Sequence, residues 1–233
     1  MKTFKALSLL LCYPSEDLAE AMPAIAEVLR EEGLLTGAAL DELSPLLADL
    51  ATGDLYDLQE RYVFLFDRSR TLSLNLFEHI HGESRDRGGA MVDLLETYRA
   101  GGYDLVGPEL PDHLPVLLEY LSTRPLDEAR ALLADAGPIL AALADRLDKR
   151  GAAYAPVLAA LVALGGAGLA SPAGVSEIEL DDPEDLAALD AVWAEAQVTF
   201  GPDPNAGCPA SRDVLARMDP KSALHTAGHR SQR

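Results

Sequence analysis

The order of apolar and polar residues is helical almost from the first position. The apolar stretch Ala6 to Cys12 is too short to span a membrane. It runs into Tyr13-Pro14-Ser15-Glu16-Asp17, which lacks the small-residue cleavage pattern of a signal peptide, so it reads as a first core helix. Ser15 is a good N-cap, and Glu16 and Asp17 place carboxylates at the positive end of a helix dipole. The helix they open should run to about Glu32, kink at Pro23 and stop at Gly33. Thr36 caps the next, to Ala51, with Leu40, Leu43, Leu47 and Leu50 at spacings of three and four and a bend expected at Pro45. Asp54 to Asp67 carries the clearest amphipathic signal: Leu55, Leu58, Tyr62, Leu65 and Phe66 share one face, and Asp57, Glu60 and Arg61 fall elsewhere.

Residues 68 to 90 break this rhythm. Leu72 to Leu76 alternate as a strand would, but a lone strand has no partner, and an irregular connection with a short helical turn fits better. Periodicity resumes from Ala90 to Arg99 and ends at Gly101-Gly102. Asp112 is the expected cap of a helix through Leu121 with Pro115 in its first turn. Leu126 to Lys149 reads as a long helix interrupted near Pro138, and Ala152 to Leu164 as another. The pattern predicts seven or eight helices before residue 165 and an all-α, single-domain bundle over 1–165. An acidic loop with a short helix at Leu186 to Ala196 follows over 166–199, and then a flexible tail over 200–233.

Composition supports helix over sheet, since Ala and Leu dominate and aromatics make up only 6% of the 233 residues. Charge narrows the partners. With 38 acidic against 19 basic residues the formal net is -19, which repels phosphate backbones and anionic lipid, so neither nucleic acid nor membrane insertion is expected. The acidity suits solubility alone or a preference for a basic segment on a partner. Cys12 and Cys208 form no CxxC pair, which fits a reducing compartment and a cytoplasmic location.

The densest chemistry lies in Asn75 to Arg87, where Glu78, His79, His81, Glu83 and Arg85 fall within a few turns. A metal-dependent hydrolase built on His79, His81 and Glu83 is one reading. On a helix, however, two histidines two apart point about 200° from each other, and no second ligand pair at zinc-like spacing exists. Capping of an irregular loop and recognition of a partner explain the same residues. Asp112-His113 resembles part of a catalytic triad but has no nucleophile in context. A cap at Asp112, with His113 and Glu119 facing a groove, needs fewer assumptions. Tyr62 and Phe66 belong in the core, with part of their face available to floor a peptide groove.

Tyr62 to Arg70, Leu72 to Gly88 and Met91 to Leu95 together resemble the NarJ-type nitrate reductase molybdenum cofactor assembly chaperones. Glu109-Leu110-Pro111-Asp112-His113-Leu114-Pro115 through Leu121 is similar to the helix start shared by the wider TorD and DmsD group of redox-enzyme maturation chaperones. The resemblance covers roughly residues 4 to 165. It implies a helical chaperone, not an enzyme and without a cofactor of its own. Such a protein binds the N-terminal segment of the nitrate reductase catalytic subunit, holds the apo-enzyme ready for molybdenum cofactor insertion, and is absent from the finished enzyme. Cofactor delivery proteins are further implied partners. Carried over by position, Asp112, His113, Glu119 and Tyr120 are candidates for the client groove, joined by Tyr62 and Phe66. Glu78, His79, His81, Glu83 and Arg85 match the nitrate-reductase-type signature with a role left open between client contact and loop structure.

Overall fold

The computed structural model describes residues 1–81 and 85–166, without the side chains of His81 and Arg85. Glu83, the acidic loop and the C-terminal tail, with the short helix expected at Leu186 to Ala196, lie outside the described residues. Within the described residues there are ten α-helices, no strand, and no helix long and apolar enough to cross a membrane. The all-α expectation holds.

Local chemistry sets the helix starts. Helix α1 spans Lys2–Leu10 and buries Phe4, Leu7 and Leu10. Helix α2, Glu16–Glu31, is capped by the Ser15 hydroxyl, which accepts from the Leu18 amide at 3.2 Å, and α3, Gly37–Thr52, is capped by Thr36 in the same way. Asp54 caps α4, Leu55–Tyr62. The amphipathic run predicted as one helix to Asp67 changes character after Tyr62. Val63–Asp67 form a π-helical turn, in which the Arg68 amide reaches back to the Val63 carbonyl. Widening the helix by one residue buries Leu65 and Phe66 and leaves Asp67 on the surface of the turn.

The connection after the π turn holds a single 3-10 turn, Arg70–Leu72, and the short α5, Glu78–His81. Helix α6, Arg85–Ala100, starts five residues before the expected Ala90, because Asp86 and Arg87 can open a helix that apolar periodicity alone does not register. Alternation in 72–76 produces one antiparallel bridge, Asn75 to His113, rather than a strand. Helix α7 spans Leu114–Ser122, α8 Leu126–Asp135, α9 Gly137–Lys149 and α10 Ala155–Leu164. The long helix expected over 126–149 is thus two, parted at Ala136, with Pro138 in the first turn of α9, where its missing N–H costs nothing.

Helix α1 packs chiefly on α7, α2 on α3, and α9 on α10. Helix α10 is apolar all round and buries Val157, Leu158, Leu161, Val162 and Leu164 against α3, α8 and α9, as the central rod of the bundle. Arg146 of α9 is almost fully buried and donates to the Thr71 carbonyl at 2.9 Å, pinning the 3-10 turn to the core. Arg146→Ala should therefore lower the unfolding free energy by about 2–3 kcal/mol in urea titration, since a buried carbonyl loses its donor. An unchanged midpoint would show that the turn is held from elsewhere.

Candidate functional site

Residues 74–77 and 111–114 are stitched together by hydrogen bonds. The Leu76 amide donates to the Asp112 carbonyl at 3.0 Å and the Leu114 amide to the Leu74 carbonyl at 2.9 Å. Asp112 does not cap its own helix, as the sequence pattern suggested. His113 holds the cap position without a side-chain bond, while Oδ2 of Asp112 accepts from the Phe77 amide at 3.0 Å. The reason is geometric: the bridge at Asn75 brings the Phe77 amide, just before α5, within reach of this carboxylate. The Asp112 side chain is fully buried, with Arg87 at 3.9 Å and Arg87 also 3.0 Å from Glu78. Burial pushes the Asp112 carboxyl above the usual range, against the Phe77 amide and Arg87, which favour its charged form.

On the other side of this stitch lies a groove along the α1/α7 seam. Its volume is about 430 Å³, and it is lined by Lys5, Leu9, Cys12 and Tyr13 from the α1 side and His113, Pro115, Val116 and Glu119 from the α7 side. Tyr62, Asp67 and Glu109 close it. Ser8 donates to the Pro115 carbonyl at 2.8 Å across the floor, and the Tyr62 hydroxyl to the Leu11 carbonyl at 2.9 Å. Of the candidate residues, the structure brings Tyr62, His113 and Glu119 into one groove. Phe66 packs behind Tyr62 with ring centroids 5.0 Å apart, and the buried Tyr120 stacks with Tyr98 and Tyr103 at the α6–α7 junction. A β-carbon at Gly101 would meet the Tyr120 hydroxyl at 2.6 Å, so any side chain there would force Tyr120 to shift.

The groove is acidic. Asp67, Glu109 and Glu119 face one lysine and one histidine. Glu119 is held by Lys5 at 3.4 Å and by the Tyr103 hydroxyl at 3.3 Å. Burial raises the Asp67 carboxyl, with His113 opposing and Glu109 adding to the rise. Burial also depresses His113, against the pull of Glu109, Asp112 and Asp67. The Cys12 thiol is pushed up to about 11 by burial and by Glu119 and Glu109, so at neutral pH it is protonated and a poor nucleophile.

His79 is buried and its Nε2 pairs with the Ser73 carbonyl at 2.8 Å, which ties the ring into the loop. Among the described residues no group of three or more His, Cys, Asp or Glu side chains is placed to hold a metal; His81's side chain and Glu83 lie outside them. Glu78 and His79 thus fasten the loop internally, to Arg87 and to Ser73.

Residues 14–160 match the family model described as nitrate reductase delta subunit. The chain belongs to that family. It is 42% identical over 213 residues to the probable nitrate reductase molybdenum cofactor assembly chaperone NarW of Escherichia coli K12, covering 91% of this chain and 89% of the relative. It is 44% identical over 202 residues to NarJ, the nitrate reductase molybdenum cofactor assembly chaperone of the same strain, covering 86% of each. Against the probable NarJ of Bacillus subtilis the identity is 31% over 161 residues, 69% of this chain and 86% of the relative. The resemblance to the NarJ-type assembly chaperones read from Tyr62 to Leu95 is thereby confirmed. The family match begins at Pro14, so the α1 wall of the groove precedes it.

Sequence reasoning missed Lys5, Leu9, Cys12, Tyr13, Asp67 and Glu109 as groove residues. Asp67 and Glu109 left a signal, as carboxylates within the runs Tyr62 to Arg70 and Glu109 to Leu121 that carry the resemblance. Because Asp112 already pays for burial when charged, Asp112→Asn, which keeps an acceptor for the Phe77 amide, should cost less than about 1 kcal/mol, and Asp112→Ala about 1–3 kcal/mol. Equal losses for both in denaturant titration would mean that the charge, not the hydrogen bond, holds the stitch.

Proposed function

We propose that this protein is an assembly chaperone of a respiratory nitrate reductase. It binds the N-terminal segment of the catalytic subunit in the α1/α7 groove, in the cytoplasm, and keeps the apo-enzyme competent to receive its molybdenum cofactor before membrane assembly. It has no turnover of its own. The observation that carries this reading is the concave, acidic, partly apolar seam at His113 and Glu119 in a chain whose relatives are named as nitrate reductase molybdenum cofactor assembly chaperones. Leu9, Tyr62, Pro115 and Val116 offer apolar contact and Asp67, Glu109 and Glu119 offer charge to a basic amphipathic segment. Three or four apolar anchors, each worth roughly 1.5–3 kcal/mol, reach micromolar affinity after ordering costs, tight enough to hold a client and weak enough to release it.

Asp112 and Tyr120 act in this reading from behind the wall, Asp112 by holding the turn that carries His113 and Tyr120 by seating α6 on α7. Phe66 supports Tyr62 in the same way.

Isothermal titration with a synthetic peptide of the first fifteen or so residues of the catalytic subunit from the same genome should give one-to-one binding at micromolar affinity or tighter. His113→Ala and Glu119→Gln should each weaken it about fivefold or more, with the melting temperature nearly kept, because Glu119 is about half exposed and His113 caps its helix without a side-chain bond. No binding to the unaltered protein would remove the groove as the client site.

The affinity should also depend on pH. His113 titrates below 6.5 and Asp67 above 3.8. Lowering the pH through that window adds a positive charge and removes a negative one. Both changes repel a basic peptide, so binding should weaken steadily on acidification. Affinity that rises between pH 7 and 5 would contradict the arrangement.

A further inference from the structure

A second cavity, of about 540 Å³, lies beside the α1/α7 groove. Its lining includes Tyr56, Asp57, Glu60, Phe64 and Arg68, and the one side chain it shares with the groove is Tyr13. Tyr13 is a fixed divider. Its ring meets the edge of Tyr62 at 5.6 Å between centroids, and the Gln59 amide donates to the Pro14 carbonyl at 2.9 Å. Tyr13 is 50% exposed and Tyr56 81% exposed, an unusual cost for two aromatic rings beside one cavity.

Asp57 and Glu60 are exposed and form no ion pair among the described residues. Of the two guanidinium groups on the lining, Arg61 is committed to Asp49, which leaves Arg68 as the cation facing two carboxylates. Electron-rich ring faces beside free carboxylates are the chemistry that holds a long cationic side chain. A second copy of this chain, at net -19, would bring the wrong charge, and so would a nucleic acid. A basic segment suits both cavities, and they adjoin at Tyr13.

We propose that the client segment held in the α1/α7 groove continues past Tyr13 and seats a lysine or arginine side chain in this second cavity. Its stem lies on Tyr56 and Phe64, and its charge is directed to Asp57 and Glu60. The proposal rests on the chaperone reading above and extends it to a two-part recognition surface, in which the spacing of two basic residues about an apolar one selects the client.

The test titrates the same fifteen-residue peptide into the full chain and into two variants, Asp57→Asn with Glu60→Gln, and Tyr56→Ala. These residues are exposed, and thermal melts followed by circular dichroism check that the fold is kept. Each variant should bind about fivefold more weakly, and the loss for the carboxylate pair should shrink as salt is added. Replacing the peptide's basic residues one at a time by norleucine should identify one whose loss makes the unaltered protein and the carboxylate variant bind alike. If the unaltered protein binds and neither variant differs from it, the second cavity takes no part and the groove stands alone. If the unaltered protein does not bind, the chaperone reading of the groove falls and takes this extension with it.

Discussion

The junction between residues 74–77 and 111–114 is the constraint on which the α1/α7 groove depends. Backbone bonds from Leu76 to Asp112 and from Leu114 to Leu74, together with the Asp112 carboxylate on the Phe77 amide, bring an irregular connection against the start of α7. Tyr98 reinforces it by donating to the Pro111 carbonyl at 2.7 Å. Without those bonds the connection would carry unpaired backbone groups into the core, since Leu72, Leu74 and Leu76 are all buried. With them, the first turn of α7 is fixed in position and rotation, so that His113 and Glu119 face α1 while Leu114, Leu118 and Leu121 face inward.

The same junction shows how a helical protein accommodates segments that are not helical. The π turn at Val63–Asp67 and the 3-10 turn at Arg70–Leu72 precede it, and buried polar side chains satisfy carbonyls in and just after the 3-10 turn: Arg146 on Thr71 and His79 on Ser73. Burial holds His79 toward its neutral form, which suits a ring paired with a carbonyl in the core rather than one exchanging protons with solvent. The histidine that tempts a metal assignment is thus engaged in supporting the loop. Burial holds His113 toward its neutral form as well, but this ring lines the groove, where Glu109, Asp112 and Asp67 oppose that shift.

The chain's acidity acquires a location in the fold. Part of the charge surplus is gathered along one seam, where Asp67, Glu109 and Glu119 come from three separate stretches of chain. An acidic seam of that kind favours a partially apolar, basic segment over a folded acidic surface. It also suits a transient complex, because the apolar contact is modest and the charges respond to pH and salt.

Much of the architecture was legible from local chemistry. Ser15, Thr36 and Asp54 cap the helices their positions predict, the apolar spacings read in α3 and α4 fall on buried or half-buried positions, and the family resemblance rests on contiguous runs of residues. Such features are written within a few residues of one another, where the helical repeat and the reach of a side chain decide the outcome. The π turn, the early start of α6, the transfer of the Asp112 carboxylate from its own helix to Phe77, and the joining of Lys5, Asp67, Glu109 and His113 in one groove were decided only by tertiary structure. Each depends on which distant segments pack together, and that is set by the burial of the whole apolar surface around α10 rather than by the neighbours of any one residue.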